Sequence, residues 1–174
     1  MENQNHAFNY AYLLKQVKAR VLLAQKKAIY TANEEMLSMY WDIGKLLSES
    51  QKQIGWGNNA LEKLANDLKN DYPEMKGFSV RNCQFMIQFY NEYNQQLTNT
   101  KRAVSYLNNN EIVLPVSKLG WSHNITLMQR TKDIKARYWY MIQCLKNGWS
   151  RDFLIEAIKQ DYYHSHGALA SNFD

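Results

Sequence analysis

The sequence predicts an all-α fold, a compact bundle of about seven helices, and three observations carry that prediction. Apolar residues recur at spacings of three and four along most of the chain. Only 7 Gly and 2 Pro punctuate 174 residues, too few for the turns of a β-sandwich or barrel. Short polar caps and single glycines stand where helices of this kind begin and end. Hydrophobic residues make up 45 % and aromatics 13 %, which excludes general disorder. One domain suits this length. The expected division is a disordered N-terminus at 1–7, a helical domain at 8–163, and a tail or linker at 164–174.

The first helix is expected from Phe8 to Gln51. Tyr10, Leu14, Val17, Val21, Ala24 and Ala28 form one stripe, with Lys15, Lys18, Arg20, Lys26 and Lys27 pointing elsewhere. That stripe suits packing within the chain and a seam with a second copy equally well. Asn33, Glu34 and Glu35 fit a helix restart as well as a continuous helix. Leu37, Tyr40, Trp41, Ile43, Gly44 and Leu47 extend the apolar face, and Gly44 lets another backbone come close beside Trp41. Gly55-Trp56-Gly57 breaks the helix, with Trp56 as a core plug.

A helix capped by Asn58 or Asn59 carries Leu61, Leu64 and Leu68, and Asp71-Tyr72-Pro73 ends it. Ser79 caps the next helix, with Phe78 stapled on Cys83. Cys83, Met86, Ile87 and Tyr90 face inward. Residues 94–114 read as polar and irregular, with a short strand pair at Ala103 to Tyr106 and Ile112 to Leu114. Beyond Pro115, Ser122 is the expected cap and Trp121 the core plug of a short helix holding Ile125 and Leu127. A helix from about Lys132 to Asn147 turns Ile134, Tyr138, Met141, Ile142 and Leu145 inward, and Gly148 closes it. Ser150 caps a last helix bearing Phe153, Leu154, Ala157 and Ile158. Beyond Asp161 the pattern dissolves.

Cys83 and Cys144 cannot form a disulfide framework. No signal peptide opens the chain and no apolar run is long enough to span a bilayer, so a cytoplasmic location and no membrane partner are expected. The formal charge of +5 is spread along the sequence, which permits nucleic-acid binding without demanding it.

Candidate chemistry is thin. Glu74-Met75-Lys76 has the acid-spacer-lysine order of a metal-dependent nuclease, but that chemistry needs a strand, and Pro73 and Gly77 place the triplet in a loop. His164-Ser165-His166 lacks ligands at metal-site spacing. Ser122-His123 lacks an orienting third group. No glycine-rich phosphate loop exists. The expectation is therefore no enzyme activity, no catalytic residue, no metal and no cofactor.

The helix pair at 61–70 and 79–93 resembles a helix-turn-helix reader of double-stranded DNA. Ser79, Val80, Arg81, Asn82, Gln84 and Gln88 would line the start of its second helix. Arg suits guanine, and Asn or Gln suits adenine. Lys76 would meet phosphate, and Lys101 with Arg102 in the following loop would act like a wing. Glu74, Glu92 and the long connection oppose this reading.

A set of word-like segments then occurs in order: Tyr40-Trp41-Asp42-Ile43-Gly44, Gly55-Trp56-Gly57, Leu64-Ala65-Asn66-Asp67-Leu68, Tyr72-Pro73, Gly77-Phe78-Ser79-Val80-Arg81-Asn82 and Phe89-Tyr90. Trp121-Ser122-His123, Leu127, Arg137-Tyr138-Trp139-Tyr140 and Gly148-Trp149-Ser150-Arg151 follow. Together, over roughly residues 8 to 174, they resemble the N-terminal helical domain of the bacterial YhcG-type PD-(D/E)xK nuclease family, a domain of unknown function. The resemblance implies a non-catalytic module that contributes double-stranded DNA binding or partner contacts beside an attached C-terminal nuclease domain absent from this chain. The homodimer expectation rests on the Tyr10 to Ala28 stripe alone. It also implies that Glu74-Met75-Lys76 does not inherit the nuclease role. A protein-protein or homodimerisation module without nucleic-acid binding is the alternative.

Overall fold

The computed structural model describes residues 3–54, 58–103 and 115–167, and every described element is helical. Helix α1 (Asn3–Ile54) passes through Asn33 without a break. Helices α2 (Asn58–Asp71) and α3 (Val80–Ala103) follow, then a 3-10 turn (Pro115–Lys118). Helices α4 (Trp121–Arg130), α5 (Ile134–Asn147) and α6 (Arg151–Lys159) and a π-turn (Tyr163–Gly167) complete the chain. The all-α prediction holds. The Gly55-Trp56-Gly57 plug and the short strand pair, apart from Ala103 itself, fall outside the described residues.

The second half of α1 is embedded because Gly44 removes the obstacle to α3. A β-carbon there would lie 2.1 Å from the Met86 carbonyl oxygen. Around this crossing, Ser48 Oγ donates to Asn91 Oδ1 at 2.7 Å, and Trp41 meets the edges of Phe89 and Tyr90. Phe89, Tyr93, Leu127, Tyr140, Met141 and Leu154 centre the main core, with smaller clusters around Tyr40, Phe78 and Met86 and around Leu47, Leu61 and Cys83. Phe78 and Cys83 thus sit in different clusters, and the expected staple between them is replaced by burial of Phe78 beside Tyr40.

Several local expectations hold. Ser79 Oγ accepts from the Asn82 backbone N–H, Ser150 Oγ accepts from that of Phe153, and Gly148 adopts a left-handed φ of 63°. Others are corrected. Helix α3 continues to Ala103 instead of becoming irregular at 94, since Gln, Asn, Thr, Lys and Arg permit helix even without an apolar stripe. Gly120, not Ser122, occupies the cap of α4. The inward face of α5 is rotated: Arg137, Tyr140 and Cys144 are buried while Leu145 is exposed. Phe153 is exposed too, meeting Trp149 edge-on with ring centres 4.9 Å apart. Past Asp161 the chain stays ordered to the π-turn, where the Tyr163 N–H donates to the Tyr140 hydroxyl at 3.1 Å.

Candidate nucleic-acid interface and an uncovered helix

The candidate DNA-binding residues do not form one free surface. Asn82 Nδ2 donates to the Gly77 carbonyl at 2.6 Å, and its Oδ1 accepts from Trp121 Nε1–H at 2.8 Å. Both ends of the amide are spent on joining the start of α3 to α4, and neither is left for a base edge. The Asn82 amide also bonds the Tyr40 hydroxyl, whose pKa is raised by burial and lowered in part by that bond. Ser79 is the cap. Gln88 Nε2 donates to Glu92 Oε1 at 2.6 Å, and the other Glu92 oxygen takes Arg137 Nη1 at 2.6 Å. Lys76, Arg81 and Gln84 are exposed, with the Arg81 guanidinium 5.6 Å from the centre of the Phe85 ring. The backbone of Lys101 and Arg102 belongs to the end of α3, not to a loop, and their side chains lie outside the described residues.

Arg137 is the polar centre of the body. It is 4 % exposed, donates through Nε and Nη2 to the Thr131 carbonyl at 3.0 and 2.6 Å, and lies over the Tyr93 ring. It ties the end of α4 to α5 and α3. The sequence places Arg137 on a helix but not on its buried side, because Glu92 lies 45 positions away. Burial pushes the Tyr93 hydroxyl to about 12 and the Cys144 thiol to about 11.

The other sequence motifs have simple surroundings among the described residues. Glu74, Met75 and Lys76 occupy an exposed loop between α2 and α3. His123 Nε2–H donates to the Trp149 carbonyl at 2.9 Å, away from any paired nucleophile. His164 Nδ1 pairs with the exposed Asp161 carboxylate at 2.7 Å. Among the described residues no group of three or more His, Cys, Asp or Glu is placed to hold a metal, and no helix is long and apolar enough to cross a membrane.

The larger feature is the other half of α1. From Tyr10 to Ala32 every residue is exposed, including Tyr10 at 66 %, Leu23 at 63 % and Ile29 at 69 %. Asn33 marks the change: its Nδ2 donates to the Ser117 and Leu119 carbonyls, and from there onward α1 belongs to the body. Intramolecular packing of the Tyr10 to Ala28 stripe is thus excluded among the described residues. The stripe runs on into an apolar groove of about 560 Å³ between Met39, Ile43 and Leu46 of α1, Leu64 and Leu68 of α2, and Tyr72 and Met75 of the loop.

These features define an all-helical domain with no evident catalytic fold among its described residues. Residues 16–165 match the model of the DUF1016 N-terminal domain, and the chain belongs to that family, which is the YhcG-type family. No curated protein and no solved structure matches the chain.

Proposed function

We propose that the chain is a non-catalytic helical assembly module that seats another protein chain on the uncovered N-terminal half of α1. The observation that carries this reading is the exposure of Tyr10, Leu13, Val17, Val21, Leu22, Leu23, Ile29 and Tyr30 on one continuous helix. Contiguous apolar surface of this extent marks an interaction site. A helix apolar on more than one side is ordinarily buried, and alone in water it has little to stabilise it. A photo-crosslinking residue at Val21 of the full chain, expressed in cells, tests the reading. A protein adduct is expected at Val21 and not at exposed Gln129 of α4. Equal labelling at the two sites, or none at Val21, overturns it.

A second reading, a DNA-binding module positioning an attached PD-(D/E)xK nuclease domain, is favoured by the exposure of Lys76, Arg81 and Gln84 around the start of α3. Fluorescence anisotropy of a labelled duplex, followed at low and moderate salt, tests it. Phosphate neutralisation gives binding that weakens steeply with salt. Arg81→Ala then loses about 1–3 kcal/mol if Arg81 meets a base. Flat anisotropy at low salt removes this reading.

A further inference from the structure

We infer that the chain seated on α1 is a second copy of this protein, lying antiparallel about a two-fold axis level with Tyr30. The inference rests on the assembly reading and names its partner. Its first support is self-complementarity of the exposed stripe. Reversed against itself in one register, α1 sets Leu14 on Leu46, Val17 on Ile43 and Val21 on Met39. The same register brings Ala28 onto Ala32 beside the axis, where small side chains let two backbones come close. The stripe gains one residue between Ala28 and Ala32, a skip that shifts the seam slightly around the helix. It lies at the centre of symmetry and so leaves the pairing on either side intact.

The second support is charge. Residues 10–32 carry Lys15, Lys18, Arg20, Lys26 and Lys27 and no acid, whereas residues 33–54 carry Glu34, Glu35, Asp42 and Glu49 against Lys45 and Lys52. A parallel pair would stack one basic half on the other. An antiparallel pair sets each basic half on an acidic one. The pattern is finer than net charge. Arg20 and Lys27 are seven residues apart on one flank of the stripe, and Glu35 and Asp42 are seven apart on the same flank. In an antiparallel pair that flank meets its own copy, so Arg20 faces Asp42 and Lys27 faces Glu35. All four are exposed, and none forms an ion pair among the described residues.

The third support is depth. Met39, Ile43 and Leu46 form the α1 wall of the apolar groove, and Leu46 is 64 % exposed. The register therefore lowers Leu14, Val17 and Val21 of one copy between α1 and α2 of the other. Both ends of the paired helices are then held by a body, over about five heptads of seam.

Sedimentation of the full chain from micromolar to near-millimolar concentration is expected to give a dimer. Under mild oxidation, Val17→Cys with Ile43→Cys crosslinks into dimers and Val17→Cys alone does not. Asp42→Lys or Arg20→Glu weakens self-association on the order of tenfold, because two symmetric pairs turn repulsive at once. The double reversal recovers it. Circular dichroism confirms that each variant folds. A monomer at every concentration overturns the inference, as does crosslinking of Val17→Cys alone, which reports a parallel pair. A monomer that still gives a Val21 adduct of a different chain eliminates self-pairing and leaves the assembly reading standing. A monomer with no adduct removes both.

Discussion

Leu23 and Leu37 lie about four turns apart on nearly the same side of one helix, yet Leu23 is 63 % exposed and Leu37 is 2 % exposed. Both are leucines in the interior of one helix, although Arg20, Lys26 and Lys27 surround Leu23 at helical spacing where Tyr40 and Trp41 adjoin Leu37. The difference is made by residues far away in the chain: Met86 under Gly44, and the carbonyls of Ser117 and Leu119 under Asn33. Periodicity identifies a face that needs a cover. The rest of the chain decides whether the cover is its own.

That contrast can be broken from the body side first. Arg137→Ala removes a buried guanidinium from Glu92 and the Thr131 carbonyl together, with an expected loss of about 3–5 kcal/mol in urea unfolding. A loss below one kcal/mol would show that the α3–α4–α5 junction does not depend on it. Leu37→Ala opens a cavity in the embedded half of α1, with an expected cost of about 2–5 kcal/mol. Asn82→Ala strands the Trp121 N–H and frees the Gly77 carbonyl, at about 1–3 kcal/mol. If this variant instead keeps full stability, Asn82 is not the link between α3 and α4.

A pH series sharpens the same point. The Cys144 thiol, held near 11 by burial, reverts to an ordinary 9.0 on unfolding, and the Tyr93 hydroxyl reverts from about 12 to 10.0. The unfolded chain then gives up its protons at lower pH than the folded one. The stabilisation is present in full below about pH 9 and is lost as the pH climbs toward 12. Urea midpoints that fall between neutral and strongly alkaline solution would agree, and flat midpoints would not. Smallest of all is Leu23→Ala in the uncovered half, expected within about 0.5 kcal/mol of the parent in the monomer. A cost matching that of Leu37→Ala would mean that Leu23 is already covered.

The sequence made the fold class legible through spacing, and many helix ends through their caps, because these depend on neighbours within a turn. Gly44 was legible too, since a glycine between Ile43 and Leu47 has few other uses. The end of α3 was not. Gln95 to Lys101 has no apolar stripe, and a polar helix leaves no periodic mark. The candidate site was legible only in outline. Ser79 as a cap and the exposed Arg81 could be read from position. The capture of Asn82 by Trp121, 39 residues away, and of Gln88 by the Glu92–Arg137 pair could not, because those partners come together only in the fold.

Asn33 has a mechanical consequence. The helix before it extends about 33 Å from Ala32 to Tyr10 at 1.5 Å per residue. Two hydrogen bonds from one amide, to Ser117 and Leu119, stand at its fulcrum. A tilt of about ten degrees there carries Tyr10 through about 6 Å, by the length of the lever alone. Such a tilt would press first on the short segment between Pro115 and Gly120, because the carbonyls of Ser117 and Leu119 accept those two bonds.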